Sequence, residues 1–416
     1  MNNFITNILK LISGTAGGQL IALLLMPIVT RLVTVDEMGK YSLVLAIIMV
    51  LSSVASMKLE LAVMTLSSKT LVIHTLSAFC NVNFIIGILV LITGILLHFS
   101  IEHFPLTAVD VVLTALALYF FSLAQFVSSY YSALDEFKKS AINRFAKPVL
   151  AVVFQIVLVN LGFGENGLLL GFVIGYILSC FIFDSKFILM TMCHIDFRFV
   201  KESYKQFKSY FIFQAPAGVI NSLSQNVANF MLIGMIGAYS LGIYSLSFRM
   251  LQAPISLVSV SVRDAYFSRA KSIYEKEPSK LANDMLYVII TLTILSGLVS
   301  AIIFSYLPFI FAQLFGNSWR ESGVVASYLL PWFVLLFSNP PASVVANIIN
   351  MQRFIFIFEI ANLIVRVLTL TFSWWFYKDF KLLIVHFSFA GVIMNLLYIL
   401  MVYKMAIEKC KVQHAK

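Results

Sequence analysis

Twelve apolar stretches, most of them about as long as a bilayer-crossing helix, follow one another along this chain with short polar loops between them. A hydrocarbon layer roughly 30 Å thick needs about 20 helical residues, and lipid offers no partner to unpaired backbone groups, so each stretch reads as a helix. The expected spans lie near 11–30, 41–61, 73–97, 109–133, 148–163, 167–190, 210–235, 240–262, 284–311, 323–348, 354–376 and 382–403. Runs such as Ile85 to Leu97 do not alternate apolar with polar, which argues against barrel strands. With 60% hydrophobic residues, 12% charged residues and a mean hydropathy of +0.94, no soluble globular class fits. The expected fold is an all-α polytopic membrane protein, with about twelve transmembrane helices in two six-helix lobes around a central cavity.

The formal net charge of +10 would point to nucleic acid in a soluble protein. Here topology accounts for it, and no nucleic-acid partner is expected. With the N-terminus in the cytoplasm, the inner segments carry 22 Lys and Arg and the outer ones five, leaving Arg249 and Arg366 deep within spans. That imbalance orients both termini inward. The longest polar connection divides the spans six and six, giving a lobe over 1–193, a cytoplasmic connector over 194–209, a second lobe over 210–404 and a tail over 405–416. Each half carries a similar pattern near the start of its second span, Gly39-Lys40-Tyr41-Ser42-Leu43 and Gly242-Ile243-Tyr244-Ser245-Leu246. An internal duplication of this kind is frequent in transporters.

An ionised group near the bilayer centre costs about 2.5–3.5 kcal/mol, so it faces a cavity or a partner. Glu359, Asn362 and Arg366 are spaced by three and four and share one face of span eleven. They either line a cavity or lock helices together. Arg249 is a second mid-depth cation, followed by Gln252 and Pro254. Asn221, Gln225 and Asn229 form an amide stripe in span seven that suits sugar hydroxyls or neighbouring helices equally. Lys58 and Glu60 close span two with apolar neighbours that extend the expected helix past them; they read as interface residues or as a paired inner gate. Asp36 and Glu37 read as solvated loop charges. The serine face of span four and Gly167, Gly171 and Gly175 are expected to allow close helix packing. No P-loop, G-x-S-x-G, H-E-x-x-H or dinucleotide fingerprint occurs, and the four cysteines and six histidines lack metal-ligand spacing, so an enzyme is not expected.

The chain resembles the Wzx-type O-antigen and capsule oligosaccharide flippases, in the superfamily that also holds multidrug exporters and the lipid II flippase. The resemblance runs over essentially the whole sequence. Its most specific part is Ser13-Gly14 with Gly17-Gly18-Gln19, then Pro27-Ile28-Val29-Thr30-Arg31 and Glu37-Met38-Gly39-Lys40-Tyr41-Ser42. Lys58-Leu59-Glu60-Leu61-Ala62, Gly167-Leu168 with Gly171, Arg249 through Pro254, and Phe315-Gly316 with Trp319 add to it. It implies movement of an undecaprenyl-diphosphate-linked oligosaccharide from the cytoplasmic to the outer leaflet of a bacterial inner membrane. Arg249 and Arg366 would then attract the diphosphate, the amides would meet the sugars, and Arg31, Lys58 and Glu60 would be gate or coupling candidates. No cofactor is implied. Glu359 or Glu60 could couple a proton or cation gradient, with downstream consumption of product as the alternative. The implied partners are the lipid-linked glycan, membrane lipids, a glycan polymerase and a chain-length regulator. A cation-coupled multidrug exporter and a membrane glycan polymerase or ligase are the rival readings.

Overall fold

In a computed structural model the backbone is described for residues 2–66, 68–102, 104–193, 197–208 and 210–414. Residues 194–196 and 209 of the expected connector, His103 and His194, and the last two residues of the expected tail lie outside these. The described residues are overwhelmingly helical, as the apolar stretches require. Two compact units emerge, Met1–Asn226 and Val227–Lys416.

The first unit contains α1 (Asn2–Leu32), α2 (Val35–Ala55), α3 (Leu59–Ala62), α4 (Lys69–Ser100), α5 (Ala108–Ala133), α6 (Phe137–Leu158), α7 (Gly164–Cys180), α8 (Ser185–Cys193) and α9 (Phe197–Gln206), with α10 (Ala215–Met235) beginning in it. The second contains α11 (Ala238–Lys276), α12 (Leu281–Phe304), α13 (Leu307–Phe315), α14 (Arg320–Ser338), α15 (Pro340–Ile348), α16 (Gln352–Tyr377) and α17 (Phe380–His414).

Among the described residues, nine apolar segments are long enough to cross a membrane. Phe137–Cys180 counts once among them but holds two helices, folded back at Gly162 (φ +90°) and Gly164 (φ +53°). Only glycine adopts such angles without strain. The seventh and eighth expected spans are both present as helices, α10 and α11, yet fall outside the nine. Asn221, Gln225, Asn226 and Asn229 in the first, and Arg249 and Gln252 in the second, dilute their apolarity. These two helices carry several of the candidate polar residues, which fits a surface other than lipid.

Several expected spans are interrupted. Helix α2 stops at Ala55 because Met57 (φ +47°) and Lys58 (φ +58°) both turn left-handed, so the helix does not continue past Lys58. The turn carries Leu59, Ala62 and Val63 into a core with Phe79 and Phe126, whose rings stack at 4.4 Å. The run over 167–190 breaks between α7 and α8, where Asp184 is left-handed, and 323–348 breaks at Asn339–Pro340. Proline at the first position of α15 starts a helix readily but cannot continue the preceding one. Conversely, α6 begins at Phe137, well before the expected 148, and runs through Pro148. Asp36 and Glu37 belong to the first turn of α2, where Glu37 accepts from the Thr34 backbone N–H at 2.6 Å and donates its own N–H to Thr34 Oγ1. That capping box satisfies two orphan donors and sets where the helix starts.

Small residues set the closest contacts. A Cβ on Gly171 or Gly175 would strike the backbone nitrogens of Gln155 and Ala151, and one on Gly167 would come within 3.0 Å of Val159. The partners descend as the glycines ascend, so α6 and α7 run antiparallel with backbones touching, as the glycine spacing suggested. Gly14 and Gly18 bring α1 against the carbonyls of Ala141 and Phe145 in the same manner. Helices α4, α12 and α16 have their most apolar windows only 6% buried, and side chains such as Leu96, Leu298 and Phe372 point outward. Such apolar exposure suits lipid, whereas α2, α5 and α14, at 67% buried, form interiors.

Candidate functional site

Tyr41 and Tyr244, the matching tyrosines of the two halves, each lie six residues beyond the first residue of their helix and are both buried. Tyr41 accepts a 2.7 Å hydrogen bond from Gln155, whose amide also donates to the Leu168 carbonyl at 3.1 Å. Tyr244 stands among rings: Phe248 at 5.6 Å and Phe387 at 6.2 Å between centroids. Both tyrosines meet an aromatic ring, Tyr41 that of Phe172 at 6.4 Å, and Tyr41 has the Gln155 amide in addition.

The aromatic group of the second unit carries a cation on one of its rings. Trp332 of α14 meets Phe248 at 5.9 Å, Phe333 at 5.5 Å and Phe387 at 5.3 Å, and Gly391 of α17 lies so close that a Cβ there would come within 2.7 Å of the indole. Over this ring sits Arg366 of α16, its Cζ 5.2 Å from the centroid. The negative face of an indole attracts a guanidinium by about 2 kcal/mol or more when water is excluded. Arg366 is also close enough to Tyr244 and Glu359 to act on them electrostatically, and Asn362 lies near Glu359 on the same face. The three-four spacing therefore does gather Glu359, Asn362 and Arg366 on one half-buried face. Arg249, also half-buried, makes no ion pair among the described residues.

In the first unit, Asn221 and Gln225 are exposed and joined by a 2.8 Å hydrogen bond. Lys58 pairs with Glu60 at 3.6 Å, both side chains mostly covered. Glu60 Oε2 is buried with no hydrogen-bond partner among the described residues. Gly218 of α10 makes room for the lysine, since a Cβ there would come 2.5 Å from Lys58 Cε. Alongside, Ser53 and Ser222 share a 3.3 Å contact. Asn229 is half-buried in α10 of the second unit, and Arg31 is exposed near the end of α1.

A second polar cluster escaped the sequence reading, which assigned Arg144 and Lys147 to a loop. Both belong to α6. Lys147 Nζ donates to Ser128 Oγ at 2.8 Å and lies 3.4 Å from the Ala124 carbonyl; no carboxylate acts on it among the described residues. Asn143 accepts from Ser128 at 2.6 Å and donates to the Ser179 carbonyl, and Ser140 contacts Ser132 at 2.9 Å. The serine face of α5 thus serves helix packing, as expected, and also solvates a cation. Ser140, Asn143 and Lys147 repeat the three-four spacing of the Arg366 face, and that was the available signal.

Comparisons with known proteins agree with this architecture. A family model described as polysaccharide biosynthesis protein matches residues 4–268. The chain is 23% identical over 342 residues to the capsular polysaccharide biosynthesis protein CapF of Staphylococcus aureus, covering 80% of each. Among solved structures, the lipid II flippase MurJ in an inward closed conformation matches with a TM-score of 0.70 and 15% identity, covering 96% of this chain and 90% of that one. An inward-facing multidrug resistance MATE family transporter of the MOP superfamily matches with a TM-score of 0.64 and 17% identity, covering 94% and 95%. At such identities the structural likeness establishes the fold, that of an all-α multi-pass membrane protein.

Proposed function

From its membership of the polysaccharide biosynthesis protein family, we propose that this chain flips undecaprenyl-diphosphate-linked oligosaccharide units from the cytoplasmic to the periplasmic leaflet of a bacterial inner membrane by alternating access. The observation that carries the reading is Arg366, a cation set over an indole on the polar face of an otherwise apolar helix. A diphosphate needs such a charge, and sugars stack on aromatic faces and bond to amides. Arg249 offers a second cation, and Asn362, Asn221, Gln225 and Asn229 offer amides. Lys147 extends the inventory.

Lys58, Glu60 and Arg31 are gate or coupling residues in this reading. The half-buried pair Lys58–Glu60 has the character of a switch, because removing one partner leaves the other charge unsatisfied. Both termini lie in the cytoplasm, as the distribution of Lys and Arg supports. A glycan polymerase and a chain-length regulator would act next on the delivered unit. The test is deletion of the gene with complementation, measuring surface polysaccharide together with lipid-linked oligosaccharide. Loss of the first with build-up of the second is expected. Unchanged glycan with new drug sensitivity would favour a multidrug exporter instead.

A further inference from the structure

Helix α9 is the most strongly amphipathic helix of the chain. When its 3.6-residue repeat is carried two residues past the helix end at Gln206, Arg198, Lys201, Lys205 and Lys208 fall within about 80° of arc, while Phe199, Val200, Ser203 and Phe207 fall on the opposite side. Burial follows that division. Ser203 and Phe207 are buried and Phe199 and Val200 half-buried, whereas the four basic residues are exposed. Between Phe197 and Lys208 the one acidic residue is Glu202, so the segment keeps a net charge of three positive units.

The depth of this helix follows from what its apolar face touches. Phe199 packs on His74 of α4 with ring centroids 4.4 Å apart, and Phe207 joins the core cluster that includes Val72 and Leu76. These residues mark one end of the apolar stretch of α4. That helix has 32 residues, about 48 Å at 1.5 Å per residue, so it outlasts a hydrocarbon core of roughly 30 Å. Its first turns therefore stand at headgroup depth, and α9 is pinned there. Tyr204, exposed beside the stripe and in edge contact with Phe211 at 5.3 Å, is a side chain of the type enriched at that level.

We propose that Arg198, Lys201 and Lys205 of α9, with Lys208 just past its end, form a binding surface for the headgroups of acidic phospholipids in the adjacent leaflet. The apolar face is already occupied by α4, so the helix contributes charge where an interfacial helix would ordinarily also contribute insertion. Each basic residue near an anionic leaflet contributes about five-fold in association, an effect that falls off within a Debye length. The proposal rests on the multi-pass membrane fold and not on the cargo, so its failure would leave the proposed transport reading untouched.

The test titrates the purified full chain, in a neutral detergent, with fluorescent short-chain phosphatidylglycerol. The variant Lys201→Gln/Lys205→Gln/Lys208→Gln should weaken binding at least about five-fold, while the corresponding triple Lys→Arg variant should bind like the parent. All three positions are exposed, and retained melting behaviour would certify the fold. Removing exposed cations elsewhere, Lys271→Gln/Lys276→Gln on α11, should change nothing. Equal binding by the triple glutamine variant, or equal binding of phosphatidylcholine with the same chains, would overturn the proposal. Displacement of the lipid by inorganic phosphate at equal concentration would identify a site for free phosphate and overturn it too.

Discussion

Arg366 and Trp332 should be energetically coupled, and a double-mutant cycle measures the coupling. The guanidinium carbon lies 5.2 Å from the indole centroid, inside the distance of about 6 Å at which the quadrupole attraction is felt, in a setting walled by Phe248, Phe333 and Phe387. Trp332→Leu alone removes buried ring volume and should cost about 3 kcal/mol, near the lower end for loss of a large aromatic group. Arg366→Met alone removes the charge while keeping most of the stem. The double variant should be less destabilised than the two singles added together, by about 1–2 kcal/mol, equivalent to about a five- to thirty-fold difference in the folding equilibrium. Trp332→Phe should retain part of the coupling, because indole is the strongest of the aromatic partners. The assay is equilibrium unfolding of the purified protein in mixed micelles for all four chains. Strict additivity, within about 0.5 kcal/mol, would show that the stacking contributes nothing and would remove the physical basis for treating this ring as the seat of the cation.

Other expectations follow from the same contacts. Gly175→Leu puts a branched side chain against the Ala151 backbone and should separate α6 from α7, costing at least about 3 kcal/mol and abolishing accumulation in membranes, read by immunoblot. Gln155→Leu deletes both bonds of a buried amide and leaves the Tyr41 hydroxyl and Leu168 carbonyl without their donor; about 2 kcal/mol should be lost, read as a lowered melting temperature. Gly218→Ala should displace Lys58 from Glu60 and lower glycan export while surface expression is kept; export at the parental rate would remove that pair from the cycle. Ser128→Ala should weaken the solvation of Lys147 and remove the donor to Asn143, destabilising the first unit by about 1–3 kcal/mol, and the double variant Ser128→Ala/Lys147→Met should recover only the part due to Lys147 in the same unfolding assay.

Most of the fold is legible in the sequence because one term dominates it. In lipid every backbone group must be satisfied within its own segment, so apolar length translates directly into helices, and glycine spacing into the contact of α6 with α7. Interruptions are less legible. Nothing in Met57 and Lys58 announces left-handed backbone, since neither residue favours it; burial of Leu59, Ala62 and Val63 imposes the turn. The three-four spacing of Glu359, Asn362 and Arg366 identified their shared face, yet the ring beneath the arginine belongs to α14, and no local pattern links Trp332 to it. Lys147 was missed for the opposite reason. Its surroundings of Lys138, Lys139, Arg144 and Pro148 have the composition of a loop, and only the serines of α5, distant in sequence, make a buried position tolerable.

The central claim is movement of a lipid-linked oligosaccharide across the bilayer, and the measurement closest to it uses the purified chain in sealed proteoliposomes loaded with undecaprenyl-diphosphate-linked repeat units. Accessibility of the sugar to an impermeant lectin is followed over time. Transfer should proceed with the intact chain and stop with Arg366→Ala inserted to the same density. A sugar that stays where it began with the intact chain, or that crosses equally fast without Arg366, would contradict the mechanism proposed for this protein.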